Sequence, residues 1–282
     1  MILIYVHGFM GSKDSFGNLP ALIQRELPST TIGHFEYDTE GNNEESVKLL
    51  AEHLNKQTDD MVLLCHSMGG PLAIDASKLY RPTGSSKIKM ILAFDSPFFG
   101  LSPTVTSHGF QKANEHVEKV TSVLSSLWGS NESVAKSNES IAKSPTEPTR
   151  KSSGWLALGA AAIIAGAAAY SHPTVKENVD RHASKAFDKM KFLTPLLKVT
   201  DMSGRFEYIQ STDIAFHGCF LELPDESRFC NPCPAKYDHL FSVHRMTGKD
   251  VIDAHMGFFT DKDPEALLRL TVSTVNRINK VL

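Results

Sequence analysis

Residues 63–76 read Leu-Leu-Cys-His-Ser-Met-Gly-Gly-Pro-Leu-Ala-Ile-Asp-Ala, and this stretch decides the fold. An apolar strand runs into Cys65-His66-Ser67-Met68-Gly69, and a helix is expected over 70–80. A serine on a sharp strand-to-helix turn is the pattern of a nucleophile elbow at the carboxyl end of a parallel strand. Small residues are needed two before and two after it, because the turn brings helix and strand backbones together. Cys65 stands where glycine is usual, and Gly69 fills the second position.

On either side of this stretch, the first 100 residues alternate short apolar runs with helical patterns. Runs at 2–6, 32–37, 61–65 and 90–95 each end at a turn signal. Between them, Val47, Leu50, Ala51 and Leu54 recur at helical spacing. Buried-looking strands alternating with helices predict a parallel sheet covered on both faces. Further strands are expected at 206–210 and 214–221, and LFSVHR at 240–245 reads as another. A last helix, 264–281, carries Leu267, Leu268, Thr271, Val275 and Ile278 on one face.

The pattern changes near residue 101. Ala113, Val117, Val120, Leu124 and Leu127 mark one amphipathic helix, followed by the tandem pair NESVAKS (131–137) and NESIAKS (138–144). Two heptads are too few for a coiled coil, and the pair reads as slippage in a tolerant surface segment. A flexible linker is expected over 130–154, ending in SPTEPTRKSSG, before an Ala-rich apolar helix at 155–170. The division expected is a core formed by 1–100 and 201–282, with 101–200 inserted between its halves.

Composition removes several function classes. The 282 residues carry 29 basic and 32 acidic side chains, a net charge of −3 that offers no field for nucleic acid. At 41% apolar and 22% charged, the chain suits a globular protein with a real core. Four cysteines do not make a disulfide scaffold, and the start, MILIYVHGF, lacks the basic flank and cleavage site of a secretory signal. The expectation is a cytoplasmic protein.

HGFMGS (7–12) follows the first strand directly, where an elbow fold places a loop that stabilises an oxyanion. Read alone it is a glycine-rich turn capped by His7. Together with the elbow it nominates two backbone N–H donors, Met68 after the serine and Phe9 in the loop, with Met10 as a substitute for Phe9.

HGFMGS, CHSMGG (65–70), AFDSPFFG (93–100), RFCNP (228–232) and DAHMGFF (253–259) together resemble the lipase-like serine esterases of the α/β-hydrolase superfamily. A fungal group of intracellular hydrolase-like proteins is the nearest in motif. The resemblance spans most of the chain. It implies an α/β-hydrolase fold, a mostly parallel sheet with helices on both faces and an inserted helical cap, and it implies ester hydrolysis without naming a substrate.

The superfamily order is serine, acid, then histidine near the C-terminus. His239, His244 and His255 lie late enough. His255, in a loop expected just before the terminal helix, is the preferred base, whereas His244 lies inside a strand pattern. Three acids stay open, in the order Asp95, Asp213, Asp250. Asp95 ends the strand after the elbow helix, Asp213 follows the run at 206–210, and Asp250 is close enough to His255 to shape its loop instead.

His217, Cys219, Cys230 and Cys233 have ligand types suited to zinc, but the spacing is not a standard one and ordinary cysteines are favoured. The chemistry expected needs no metal and no cofactor. The segment 155–170 would span about 24 Å as a helix, short of the roughly 30 Å hydrocarbon core. A single crossing would also separate Ser67 from His255. It is therefore read as a lid, an interfacial anchor or a buried helix, giving a possible membrane-peripheral location. The function expected is serine-dependent cleavage of a carboxylic, lipidic ester. Acyl transfer on the same residues and a non-catalytic membrane-associated module are the alternatives.

Overall fold

Every position of Met61–His66 is buried, as a central strand covered on both faces requires. This strand, β3, lies in a six-stranded sheet with β1 (Ile2–Val6), β2 (Thr31–Phe35), β4 (Ile88–Phe94), β5 (Ala215–Glu222) and β6 (Phe241–Arg245). The order is β2-β1-β3-β4-β5-β6, and every neighbouring pair is parallel. The computed structural model describes residues 1–39, 43–82, 84–105 and 202–282. These fall in one of the two units into which the chain divides, Met1–Val105 with Lys191–Leu282.

Side chains alternate across β3 and sort the core into two layers. Val62 and Leu64 join Leu3, Tyr5 and Leu92 under α1 (Leu19–Glu26) and α6 (Pro264–Ile278). Met61, Leu63 and Cys65 join Ile4, Val6 and Ile91 under α2 (Asn43–Asn55), α3 (Gly69–Lys78) and α4 (Met202–Gln210). A short helix, α5 (Val251–Met256), precedes α6. The chain leaves β1 toward β2 and then returns to place β3 on the other side of β1. Strand order therefore reverses between β1 and β3, and ligands of open parallel sheets bind outside the carboxyl ends of the strands at such a point.

Three expectations need correction. Residues 206–210 are not a strand but the last two turns of α4. Phe206 and Ile209 face the core three residues apart, and the Arg205 guanidinium forks onto Asp75 of α3 at 2.9 and 3.0 Å through Nε. His255 lies in α5 rather than in a loop. The terminal helix ends at Ile278. The expected cap at 101–200 lies outside the described residues beyond 105, and so do its helix from Ala113 to Leu127, the duplication, the linker 130–154 and the apolar segment 155–170. Among the described residues, no helix is long and apolar enough to cross a membrane.

Candidate active site

The turn between β3 and α3 holds Ser67 at φ +52°, in the left-handed region that side chains with a Cβ rarely adopt. Two glycines make room for it. A Cβ on Gly69 would lie 2.3 Å from the Val6 carbonyl oxygen, so α3 could not start this close to β1 with any larger residue. A Cβ on Gly8, in the loop after β1, would lie 2.6 Å from the Cβ of Ser67. The loop and the elbow thus pack without room for a side chain at Gly8, and the rule for a small residue two places after the serine has its cause in the Gly69 contact.

Three carboxyl-edge segments meet at the serine. His255 Nε2 lies 3.0 Å from Ser67 Oγ, and His255 Nδ1 lies 2.6 Å from Asp95 Oδ2. With a carboxylate as partner, Nδ1 carries the proton and donates it, which leaves Nε2 to accept from the serine hydroxyl. Asp95 follows β4 at φ +44° and is wholly buried, and its Oδ1 accepts the Leu221 N–H at 3.1 Å. His255 is 4% exposed and Ser67 7%, so the reacting atoms are screened from bulk water and their mutual attractions are strengthened. Backbone strain at both Ser67 and Asp95 marks a place where neighbouring structure overrides local preference, which is common at functional sites.

The chain has the α/β-hydrolase fold. The all-parallel sheet, the serine at a strained β3–α3 elbow, and an acid and a histidine arriving at the same edge in the order serine, acid, histidine decide it.

Several comparisons stand beside that assignment. A family model described as Mbeg1-like matches residues 34–143. No curated protein matches the chain significantly. Among solved structures, the chain is similar to a monoacylglycerol lipase from Paleococcus ferrophilus, with 14% identity and a TM-score of 0.44 over all of this chain and 95% of that one. It is similar to the RedJ thioesterase of the prodiginine pathway of Streptomyces coelicolor, with 12% identity and a TM-score of 0.42 over 98% and 84%. It is also similar to phospholipase PlaB from Legionella pneumophila, with 16% identity and a TM-score of 0.31 over 36% of this chain. The chain spans about a quarter of the length of that phospholipase, 26%.

The other candidate residues take different places in the fold. Asp213 lies just before β5, at the amino edge of the sheet and away from Ser67. Asp250 caps α5, accepting the N–H groups of Ile252 and Asp253, so it shapes the helix that carries His255. Met68 is buried at the start of α3, and Phe9 packs against it. The Met10 N–H, the substitute for Phe9, is already engaged, donating to Thr39 Oγ1 at 3.1 Å. His7 donates from Nδ1 to the Gly8 carbonyl and accepts the Tyr37 N–H at Nε2, while its ring stacks on Tyr37 at 4.4 Å. It shapes the loop as a neutral imidazole, its pKa lowered chiefly by burial. His244 is buried in β6 beside Phe258, and His239 lies in the 3-10 turn before that strand. The cysteines and His217 are spread apart in use: His217 Nε2 bonds Ser242 Oγ at 2.8 Å, and Cys233 Sγ bonds Asp238 Oδ1 at 3.1 Å. Among the described residues, no cluster of His, Cys, Asp or Glu has a metal-holding arrangement.

Two neighbours of His255 were not singled out as site residues. His66 stacks on it with centroids 4.6 Å apart, and Phe229 lies on its other side at 3.6 Å and 7°. Burial holds the His66 pKa well below the usual imidazole range. The signal for His66 was its position inside CHSMGG. Phe229 lies in a loop, where no periodicity could announce it.

Proposed function

We propose that this α/β-hydrolase is a serine hydrolase that cleaves a carboxylic ester through an acyl-enzyme. The hydrogen-bonded line from Asp95 through His255 to Ser67 carries the reading. Ser67 Oγ attacks the ester carbonyl carbon as its proton passes to His255 Nε2, and Asp95 stabilises the imidazolium through Nδ1–H. The carbonyl oxygen becomes an oxyanion that accepts the N–H groups of Met68 and Phe9, at the positive end of α3. His255 then returns the proton to the leaving oxygen, the C–O bond breaks and an alcohol departs. Water, deprotonated by His255, attacks the acyl carbon; the bond to Ser67 Oγ breaks as His255 returns the proton to that oxygen, and the acid is released.

The substrate proposed is lipidic. Met10 and Met256 support this, each one residue from a member of the site and each more than 60% exposed. The location proposed is cytoplasmic and peripheral to an intracellular membrane, since the sequence of 155–170 is uncharged and apolar enough for an interface. Replacing Ser67 with Ala is expected to abolish both labelling by a fluorophosphonate probe and turnover, with the circular dichroism spectrum unchanged. Unchanged turnover would end the serine-hydrolase reading. An unlabelled parent protein would favour the non-catalytic module. In a panel of p-nitrophenyl esters, kcat/KM should rise with acyl length, and ester formation from an added alcohol would instead indicate acyl transfer.

A further inference from the structure

The segment Arg228-Phe229-Cys230-Asn231 leaves the serine, acid and histidine roles untouched, yet it lies against the histidine. The Phe229 ring covers one face of the His255 imidazole at 3.6 Å, nearly parallel to it, opposite His66. Cys230 beside it is 1% exposed. The segment is itself tied on both sides. The Arg228 guanidinium pairs with Glu222 at the end of β5, and Glu222 also accepts Arg245 Nε at 2.9 Å. Cys230 bridges Leu101 in antiparallel sense, the Ser102 N–H donates to the Phe229 carbonyl at 2.9 Å, and the Asn231 N–H donates to the Gly100 carbonyl at 3.0 Å. Asn231 Nδ2 adds a bond to the Phe99 carbonyl at 3.0 Å. The partner strand, 99–102, begins four residues after Asp95.

We infer that residues 228–231 form a positioning strap for the histidine of the acid–base pair, with Phe229 holding the plane of His255. The inference rests on the serine-hydrolase reading. An imidazole must keep one ring plane to donate to Asp95 and accept from Ser67 at once, and rotation out of that plane breaks both bonds. A face-to-face ring blocks the rotation while leaving the ring edge to the chemistry. Other groups facing the pair are Ser67 and His66 on His255, and His244, which lies within electrostatic reach of Asp95. Burial keeps both of these histidines neutral near pH 7.

The test uses the full chain with Phe229→Leu, Phe229→Met and Phe229→Tyr, each checked for folding by circular dichroism. Leu and Met keep apolar volume without a flat ring, and should lower kcat and the rate of fluorophosphonate labelling about tenfold with KM within about twofold. Phe229→Tyr keeps the ring and should restore both rates. Parent-like kinetics in the folded Leu or Met variant overturn the strap, and so does a folded Tyr variant as slow as those two. Loss of turnover in Ser67→Ala alongside those results leaves the hydrolase reading standing, whereas turnover retained in Ser67→Ala would overturn that reading first.

Discussion

Asp95 shows how much one residue depends on its surroundings. It is wholly buried, held at positive φ, and donates nothing: its two oxygens only accept, from His255 and Leu221. An amide at this position keeps the shape but presents an N–H₂ group and no charge, so it neither fixes the Nδ1–H form of His255 nor stabilises the imidazolium. Asp95→Asn is therefore expected to lower kcat by about 10²- to 10⁴-fold with little change in KM. Asp213→Asn should stay within about twofold, since it lies at the opposite edge of the sheet. Asp250→Asn keeps a capping oxygen and should also be mild, whereas Asp250→Ala should cost about 1 kcal/mol of stability through the lost cap. Steady-state kinetics and urea unfolding on the four proteins check this. Greater damage from Asp213→Asn than from Asp95→Asn would place the acid elsewhere.

Among the elements, the β3–α3 elbow was readable because its requirements are local. The Val6 carbonyl would meet any side chain at Gly69, so a small residue two places after the serine is a demand visible in six letters of sequence. Gly69→Ala should destabilise the protein by more than 2 kcal/mol, because the obstacle is backbone and cannot swing away. Gly204, in α4, has nothing within 4 Å of an added Cβ, and Gly204→Ala should stabilise by roughly 0.5–1 kcal/mol through helix propensity alone. Chemical denaturation distinguishes the two signs. The same helix shows what was not readable. Phe206, Tyr208 and Ile209 are strand formers, and FEYIQ alternates well enough to pass for a strand. What makes it helical is the ion pair of Arg205 with Asp75, 130 residues away, and the packing of Phe206 against Phe98 and Phe216. The acid was left open for a related reason. Asp95 and His255 meet across 160 residues, and a carboxylate chosen by where strand ends converge carries no local pattern. The rings on either side of His255 were hidden in the same way, since Phe229 reaches it from a loop.

For the molecule as a whole, the buried histidines set the acid limit of stability. His217 in β5 is 8% exposed, and burial, reinforced by the nearby Arg277 and Lys280 charges, lowers its pKa to about 3. His244 in β6 is lowered to about 4, again chiefly by burial, with Arg269 adding to it. His66 is shifted in the same direction. In the unfolded chain these imidazoles take up protons near pH 6.5. Below that pH the unfolded state binds protons that the folded state refuses, so stability falls as pH falls, and the loss continues until the folded pKa is reached. Between pH 6.5 and 5 each fully resisting histidine costs about 2 kcal/mol, enough in combination to matter against a total of about 5–15 kcal/mol. The window lies above the range in which Glu222, held low by Arg228 and Arg245, takes up its proton, so carboxylates contribute little there. Urea unfolding followed by circular dichroism should show a drop of several kcal/mol from pH 7 to pH 5. His217→Gln can still bond Ser242 but does not titrate, so its curve should fall less steeply by about 2 kcal/mol over the same interval, whatever its stability at pH 7. A flat parent profile, or a His217→Gln profile parallel to the parent, would show that His217 is reached by protons in the folded protein and that the β5–β6–α6 face is more open to water than its packing indicates.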